Sequence, residues 1–275
     1  MINTIAFLGA GNMASALIRG LIAHGFAAEQ LWASDPDEGK LSQLHAELGI
    51  HTSADNAKAC IQANTIVLAV KPQILNTVCD QIRPVIENNK PLVLSIAAGI
   101  PCSALSLWLG NDTPIVRTMP NTPASINCGA TGLYATPSVS EEQKTISESI
   151  MQAVGITAWV EEEAQLDIVT AVSGSGPAYY FLFMEAMEKA ATQLGLPQET
   201  ARLLALQTAY GAANMALNSE ESTEVLRQRV TSPGGTTEQA INTFEDGQLR
   251  DLVYTALAAA NKRSKELAHQ FGGGK

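Results

Sequence analysis

The sequence predicts an α/β fold in two parts: strands alternating with helices over residues 1–160, and an all-helical region over residues 161–271. Three observations carry this. Short, compact apolar runs alternate with helix-period segments through the first part. The run Ile5–Leu8 leads directly into Gly9-x-Gly11-x-x-Ala14. From about residue 161 the strand signals stop, and Ala, Leu, Met, Gln and Glu recur at helical spacing.

The apolar, β-rich runs are Thr4–Leu8, Gln30–Ser34, Thr65–Val70, Leu92–Ile96, Ile115–Thr118, Gly132–Ala135 and a last one ending at Trp159-Val160. Helical patterns fall between them at Met13–His24, Gly39–Leu48, Gln73–Val85 and Ser140–Val154. The runs do not alternate with polar residues, which is the pattern of strands covered on both faces and joined in parallel βαβ units. In the second part, helical texture covers Glu162–Gly195, Gln198–Asn218 and Leu249–Gln270. Gly195 and Pro197 stop one helix and restart the next. "TSPGGTTE" at 231–238 breaks the texture again. The closing residues 272–275 are low-complexity and read as a disordered tail.

Composition narrows the function. Of 275 residues 46% are hydrophobic and 16% charged, enough apolar material for a sizeable core. Seventeen basic against 27 acidic residues give a net charge of −10, which argues against a nucleic-acid partner, since phosphate neutralisation needs clustered Lys and Arg. No apolar run has membrane-spanning character, and Ile5–Leu8 is too short for a signal h-region, so no membrane partner and a cytoplasmic location are expected. Cys60, Cys79, Cys102 and Cys128 form no C-x-x-C pair and have no His at metal spacing; free thiols and no metal are expected.

The glycine motif carries the first chemistry. Gly9 permits a tight turn, Gly11 lets an anion approach the backbone, and Ala14 lets helix and strand pack closely. Together with Ala10, Asn12 and Met13 they place a helix N-terminus where a pyrophosphate can sit. This makes the first part a Rossmann-type dinucleotide-binding domain, against the alternative of an ordinary strand–turn–helix. The next strand ends in Ser34-Asp35-Pro36. A carboxylate here accepts bonds from the adenosine ribose of NAD and repels a 2′-phosphate, whereas the Ser34 hydroxyl and Lys40 favour the phosphate. Asp35 also fits the role of cap for a helix beginning near Asp37 or Glu38.

Further motifs stand in a fixed order: "FLGAGNMA" at 7–14, "AVKPQ" at 69–73, "SIAAGI" at 95–100, "RTMPNTPA" at 117–124, "VSGSGPAY" at 172–179 and "TSPGGTTEQA" at 231–240. With these motifs the chain resembles the pyrroline-5-carboxylate reductase family from Ile5 to about Leu267. The resemblance implies reduction of the cyclic imine 1-pyrroline-5-carboxylate to L-proline, the last step of proline biosynthesis, by hydride transfer from NADPH, with NADH as the alternative donor. It also implies that the helical part is a dimerisation domain, and that homodimers can gather into a pentamer of dimers.

The resemblance assigns roles by position. Ala69, Val70, Lys71 and Pro72 lie against the cofactor ribose and phosphates, and Asn56 lies near the adenosine ribose. Ala97, with Ala98 and Gly99, lets the nicotinamide approach; Met119 and Asn121 wall it, and Ser175 belongs to the pocket floor. Each has a plainer reading as well: a solvated loop lysine for Lys71, a helix-cap residue for Asn56, a structural turn for the Met119–Asn121 stretch. "TSPGGTTE" presents amides, hydroxyls and a helix N-terminus to one point, an anion receptor suited to the substrate carboxylate. Ser232, Gly235, Thr236 and Thr237 are its residues, with the Thr237 hydroxyl facing the ring nitrogen as the catalytic group and Glu220 nearby. The same stretch also reads as a capping box closed by Glu238.

Two rivals belong to other classes. A 3-hydroxyacid dehydrogenase of similar plan needs a lysine, with an asparagine four residues on, early in the first helix of the second domain. Here the only lysine of that helix is Lys189, far from its start, and Gln193 follows. A dinucleotide-binding module without catalysis predicts a disrupted substrate turn, whereas "SPGGTT" is complete.

Overall fold

A computed structural model describes residues 4–272. Its strands are β1 (Ile5–Leu8), β2 (Leu31–Ser34), β3 (His51–Ser53), β4 (Thr65–Leu68), β5 (Leu92–Ser95), β6 (Ile115–Met119), β7 (Gly129–Ala135) and β8 (Gly155–Trp159). The helices are α1 (Asn12–Ala23), α2 (Glu38–Leu48), α3 (Asn56–Cys60), α4 (Pro72–Asn89), α5 (Cys102–Leu109), α6 (Glu141–Gln152), α7 (Gln165–Val169), α8 (Gly176–Gln193), α9 (Gln198–Leu217), α10 (Thr223–Arg229), α11 (Thr236–Asp246) and α12 (Leu249–Gly272). The last three residues of the low-complexity tail lie outside the described residues; Gly272 closes α12.

The strands form one sheet in the order β3-β2-β1-β4-β5-β6-β7-β8. Side chains of β1 point alternately to its two faces. Ile5 and Phe7 join a core with Leu17, Leu41 and Ile150 of the helices on one side, and Ala6 and Leu8 join another with Leu75, Ile82 and Leu105 on the other. Helices thus cover both faces, which is why the strand runs carry no polar alternation.

The uniformly parallel expectation needs one correction. β7 runs antiparallel to β6, while every other neighbouring pair is parallel. The connection Pro120–Cys128 holds only a 3₁₀ turn, Thr122–Ile126, and is too short for a crossover, which takes about a dozen residues or more. β7 also starts at Gly129, earlier than its apolar run suggests. The short elements β3, α3, α5 and α10 have no counterpart in the sequence reading, because three to eight residues give too little periodicity.

The chain divides into two compact units. One takes in everything up to Ser175 together with the stretch from Ala259; the other is Gly176–Ala258. The sheet ends at Trp159, near the change of texture, but α7, a π-helical stretch at Thr170–Gly174 and the last turns of α12 pack with the sheet. In the second unit α8 and α9 pack on each other, and Phe183 of α8 meets Phe244 of α11. Large apolar side chains there stay exposed, among them Phe181, Leu182, Leu203 and Tyr210.

Candidate active site

The glycine loop is built by backbone constraint. Gly9 has φ +103°, and a Cβ there would stand 2.8 Å from the Ala69 carbonyl oxygen, so only glycine lets the loops after β1 and β4 meet. Gly11 is the N-cap of α1, extended and without a side-chain cap. The first bond of the helix runs from the Ser15 amide to the Gly11 carbonyl, so the amides of Asn12, Met13 and Ala14 have no partner within it. A Cβ at Gly11 would meet nothing within 4 Å, and the first turn carries no acidic residue. An open, uncapped helix N-terminus fits the pyrophosphate of a dinucleotide. Ala14 is buried against the sheet.

The expected residues after β2 take more specific positions than the sequence reading left open. Ser34 is fully buried, and its hydroxyl donates to Asn56 Oδ1 at 2.6 Å; Asn56 Nδ2 donates to Gln81 Oε1 at 2.7 Å. Ser34 is therefore not a free donor. Asp35 is not the cap of α2: Asp37 is, accepting from the amides of Gly39 and Lys40. Asp35 accepts instead from the amides of Ala10 (2.9 Å) and Asp37 (3.0 Å), so the Ala10 amide is already engaged. Likewise Asp55, not Asn56, caps α3.

The remaining residues of the first unit line the same sheet edge. Ala69 and Val70 follow β4, exposed Lys71 is the N-cap of α4, and Pro72 is its first residue. Ala97 is buried on the loop after β5, Met119 ends β6, and Asn121 follows it. Residues beyond the carboxyl ends of β1, β2, β4, β5 and β6 are thus collected at one edge, where ligands of open α/β sheets bind. Asn121 is a brace: its Nδ2 donates to the Ser173 carbonyl (3.0 Å), and its Oδ1 accepts the Ala130 amide (2.9 Å). Gly174 lets the π-helical stretch approach Met119, whose Cε would lie 2.6 Å from an added Cβ. A Cβ at Gly176, by contrast, would meet nothing within 4 Å. Ser175 is half-buried at the end of this stretch.

Sequence reasoning missed a buried ion pair. Glu163 Oε1 accepts from Arg117 Nη1 of β6 at 2.8 Å and from the Cys102 amide at the start of α5 at 2.7 Å. No local spacing links residues 102, 117 and 163. Burial, reinforced by Glu163, pushes the Cys102 thiol well above its ordinary range.

In the second unit, Ser232, Gly235, Thr236 and Thr237 share one turn, and Thr237 is exposed in the first turn of α11. The expected capping box does not form. Glu238 accepts the Gly234 amide at 2.8 Å, but the N-cap is Gly235 and no side chain caps the helix. The Gly235 amide bonds the Ser232 carbonyl at 3.0 Å. The first helical bond, from Gln239 to Gly235, leaves the amides of Thr236, Thr237 and Glu238 without helical partners. Glu220 is exposed on the α9–α10 connection, where its neighbour Glu221 pairs with Arg229 at 2.5 Å. Lys189 pairs with Glu185 one turn back along α8. Among the described residues no His/Cys/Asp/Glu cluster could hold a metal, and no helix is long and apolar enough to cross a membrane.

A doubly covered sheet with an uncapped glycine loop at its carboxyl edge, followed by a helical unit, is the frame of a dinucleotide-binding enzyme. Residues 4–99 match the model of an NADP oxidoreductase family, coenzyme F420-dependent, and residues 163–267 match that of pyrroline-5-carboxylate reductase dimerisation. A pyrroline-5-carboxylate reductase of Pseudomonas aeruginosa is 52% identical over 268 residues, 98% of each chain. A solved pyrroline-5-carboxylate reductase from Coxiella burnetii superposes with a TM-score of 0.95 at 48% identity, covering 98% of this chain and 99% of its own. The Plasmodium falciparum enzyme, solved with NADP bound, gives 0.84 at 30% identity, covering 97% and 98%. The chain belongs to the pyrroline-5-carboxylate reductase family.

Proposed function

We propose that this chain reduces 1-pyrroline-5-carboxylate to L-proline with NADPH or NADH as the hydride donor. The observation that carries the reading is a pair of uncapped helix N-termini, α1 in one unit and α11 in the other, each with three amides lacking helical partners. One suits the cofactor pyrophosphate and the other the substrate carboxylate.

A bound nicotinamide dinucleotide supplies the hydride to the imine carbon. The chain binds, orients and excludes water. Gly9, Gly11, Asn12 and Met13 cradle the pyrophosphate on a loop that Asp35 steadies through the Ala10 amide; Asn56, held by the buried Ser34 hydroxyl, takes the adenosine half with Ala69, Val70, Lys71 and Pro72; Ala97, Met119 and Asn121 take the nicotinamide end. Ser232, Gly235 and Thr236 hold the substrate carboxylate, Thr237 orients its ring nitrogen with Glu220 near the substrate, and Ser175 belongs to the floor beneath the nicotinamide. The substrate nitrogen itself receives the proton, so no lysine base of the dehydrogenase kind is needed; Lys189 already has Glu185 as its partner.

The working form is a cytoplasmic homodimer that can gather into a pentamer of dimers. The exposed apolar side chains of α8 and α9 support this, since a helix apolar on most faces must be buried. Following NADPH oxidation with and without 1-pyrroline-5-carboxylate tests the function. Turnover with a 3-hydroxyacid instead, or binding of NADPH without turnover, would refute it.

A further inference from the structure

We infer that the last turns of α12 are a positioning element for the nicotinamide loop, locked in place by a buried contact between Ser264 and Asp167. The loop is Ile96–Pro101, which joins β5 to α5 and carries Ala97. This rests on the reading above that the nicotinamide end of the cofactor lies at that loop.

Three observations on one face of α12 converge. Ser264 Oγ donates to Asp167 Oδ1 of α7 at 2.6 Å, and both residues are buried. Leu267 and Phe271 follow on the same side, three and seven residues later, at helical spacing. Both stand behind Gly99, the loop's left-handed residue at φ +73°: a Cβ there would lie 3.4 Å from Leu267 Cβ and 3.6 Å from Phe271 Cδ2. Gly272 then closes on the Pro101 ring. A buried carboxylate needs hydrogen-bond partners, so the Ser264 hydroxyl fixes both the rotation and the height of α12 over α7. The aromatic ring carried by that helix in turn backs the loop. On the loop's far side, the Cys102 amide is held by Glu163. The loop is thus gripped at its middle and at its end, while its Ala97 side stays at the sheet edge. Asp167 has no part in the proposed chemistry, and a role in holding α12 accounts for its burial.

The contact acts on the nicotinamide end alone, because the glycine loop and the Ser34–Asn56 pair are built without α12. Ser264→Ala and Phe271→Ala are therefore expected to lower kcat about tenfold or more, since misplacement by about 1 Å can cost about a hundredfold. The Kd for ADP-ribose, a probe of the adenosine half, should stay within about twofold. Ser264→Thr, which keeps the hydroxyl, should recover most of kcat. Amide exchange over residues 97–105 should quicken in both alanine variants. If Ser264→Ala does not fold, Phe271→Ala, at the end of the helix, carries the test. Folded variants with kcat within twofold of the parent, or activity lost in step with ADP-ribose binding, would overturn the inference. A parent chain that binds ADP-ribose but never turns over the imine would instead refute the functional reading, and this inference with it.

Discussion

The carboxylate of Asp35 reaches the glycine loop: its Oδ2 accepts the amide of Ala10 at 2.9 Å, while Oδ1 accepts that of Asp37 at 3.0 Å. The residue placed by sequence to read a ribose therefore uses one oxygen to hold the glycine loop and the other to hold the turn that leads into α2. Lys40 Nζ, 3.9 Å from Oδ1, offsets part of its charge.

Asp35→Ala should accordingly loosen the loop for either cofactor. Hydrogen bonds to a charged group contribute about 1.5–3 kcal/mol where desolvated, and the Asp35 side chain is only 13% exposed. We expect a lower melting temperature and a higher KM for NADPH and NADH alike. The parent should accept both donors, NADPH somewhat better, and the variant should keep that ratio within about threefold. A selective gain of more than about tenfold with NADPH, about 1.4 kcal/mol, would show that the carboxylate works by repelling the 2′-phosphate.

Local constraints were legible in the sequence, and long-range ones were not. Gly9 and Gly11 announce their roles because a left-handed turn and an open helix start depend on residues next to them. The restart of the helix at Thr236 is legible for the same reason. The partner of Asp35 lies in a loop 25 positions away, and that of Ser264 lies 97 away; no periodicity carries such pairings. Ser34 looked like a free donor because only the fold brings Asn56 over it. The reversal of β7 depends on the length of a connection whose 3₁₀ turn has too few residues to show a period.

The Arg117–Glu163 pair should behave as a buried ion pair. Their side chains are 6% and 25% exposed. Removing one partner leaves a desolvated charge, so Glu163→Ala is expected to cost about 3–5 kcal/mol in denaturant unfolding. Arg117→Met combined with Glu163→Met should cost much less than the two singles together. Additive losses would mean that the charges do not interact.

Burial pushes the thiols of Cys60 and Cys79 up to about 12, from an ordinary value near 9. At pH 8 their thiolate fraction is then about a thousandfold below that of a normal cysteine. Iodoacetamide should modify exposed Cys128 in the native protein and all four cysteines once it is unfolded. The same shift predicts alkaline sensitivity. Between pH 9 and 12 the unfolded chain loses these protons before the folded one does, so stability falls as pH rises. Replacing both thiols by alanine should flatten the decline in melting temperature over that window; an unchanged slope would assign it to other groups.

The exposed apolar faces of α8 and α9 predict that association is a condition of activity. Leu203 and Tyr210 are 67% and 64% exposed in the single chain. A charge at either, as in Leu203→Glu, should shift the sedimenting species to monomer and abolish turnover together. An active monomer at micromolar concentration would refute the dimer.

Thr237 is the residue on which the proposed chemistry can be tested most directly. It stands in the first turn of α11, exposed, on a helix without a side-chain cap. A threonine hydroxyl has far too high a pKa to be a strong general acid. Its expected task is to accept a bond from the protonated imine and so orient the ring, with water or the substrate supplying the proton. A bond to a charged partner contributes about 1.5–3 kcal/mol, so Thr237→Ala should lower kcat/KM about 10- to 150-fold. The pH profile should keep its shape, because no titrating group is removed. Thr237→Ser should recover most of the activity, and cofactor Kd should barely move in either variant. If Thr237→Ala stays within about twofold of the parent while Ser232→Ala is inactive, Thr237 only helps to start the helix. If it loses one limb of the pH profile, it belongs to a proton relay and the orienting role is wrong.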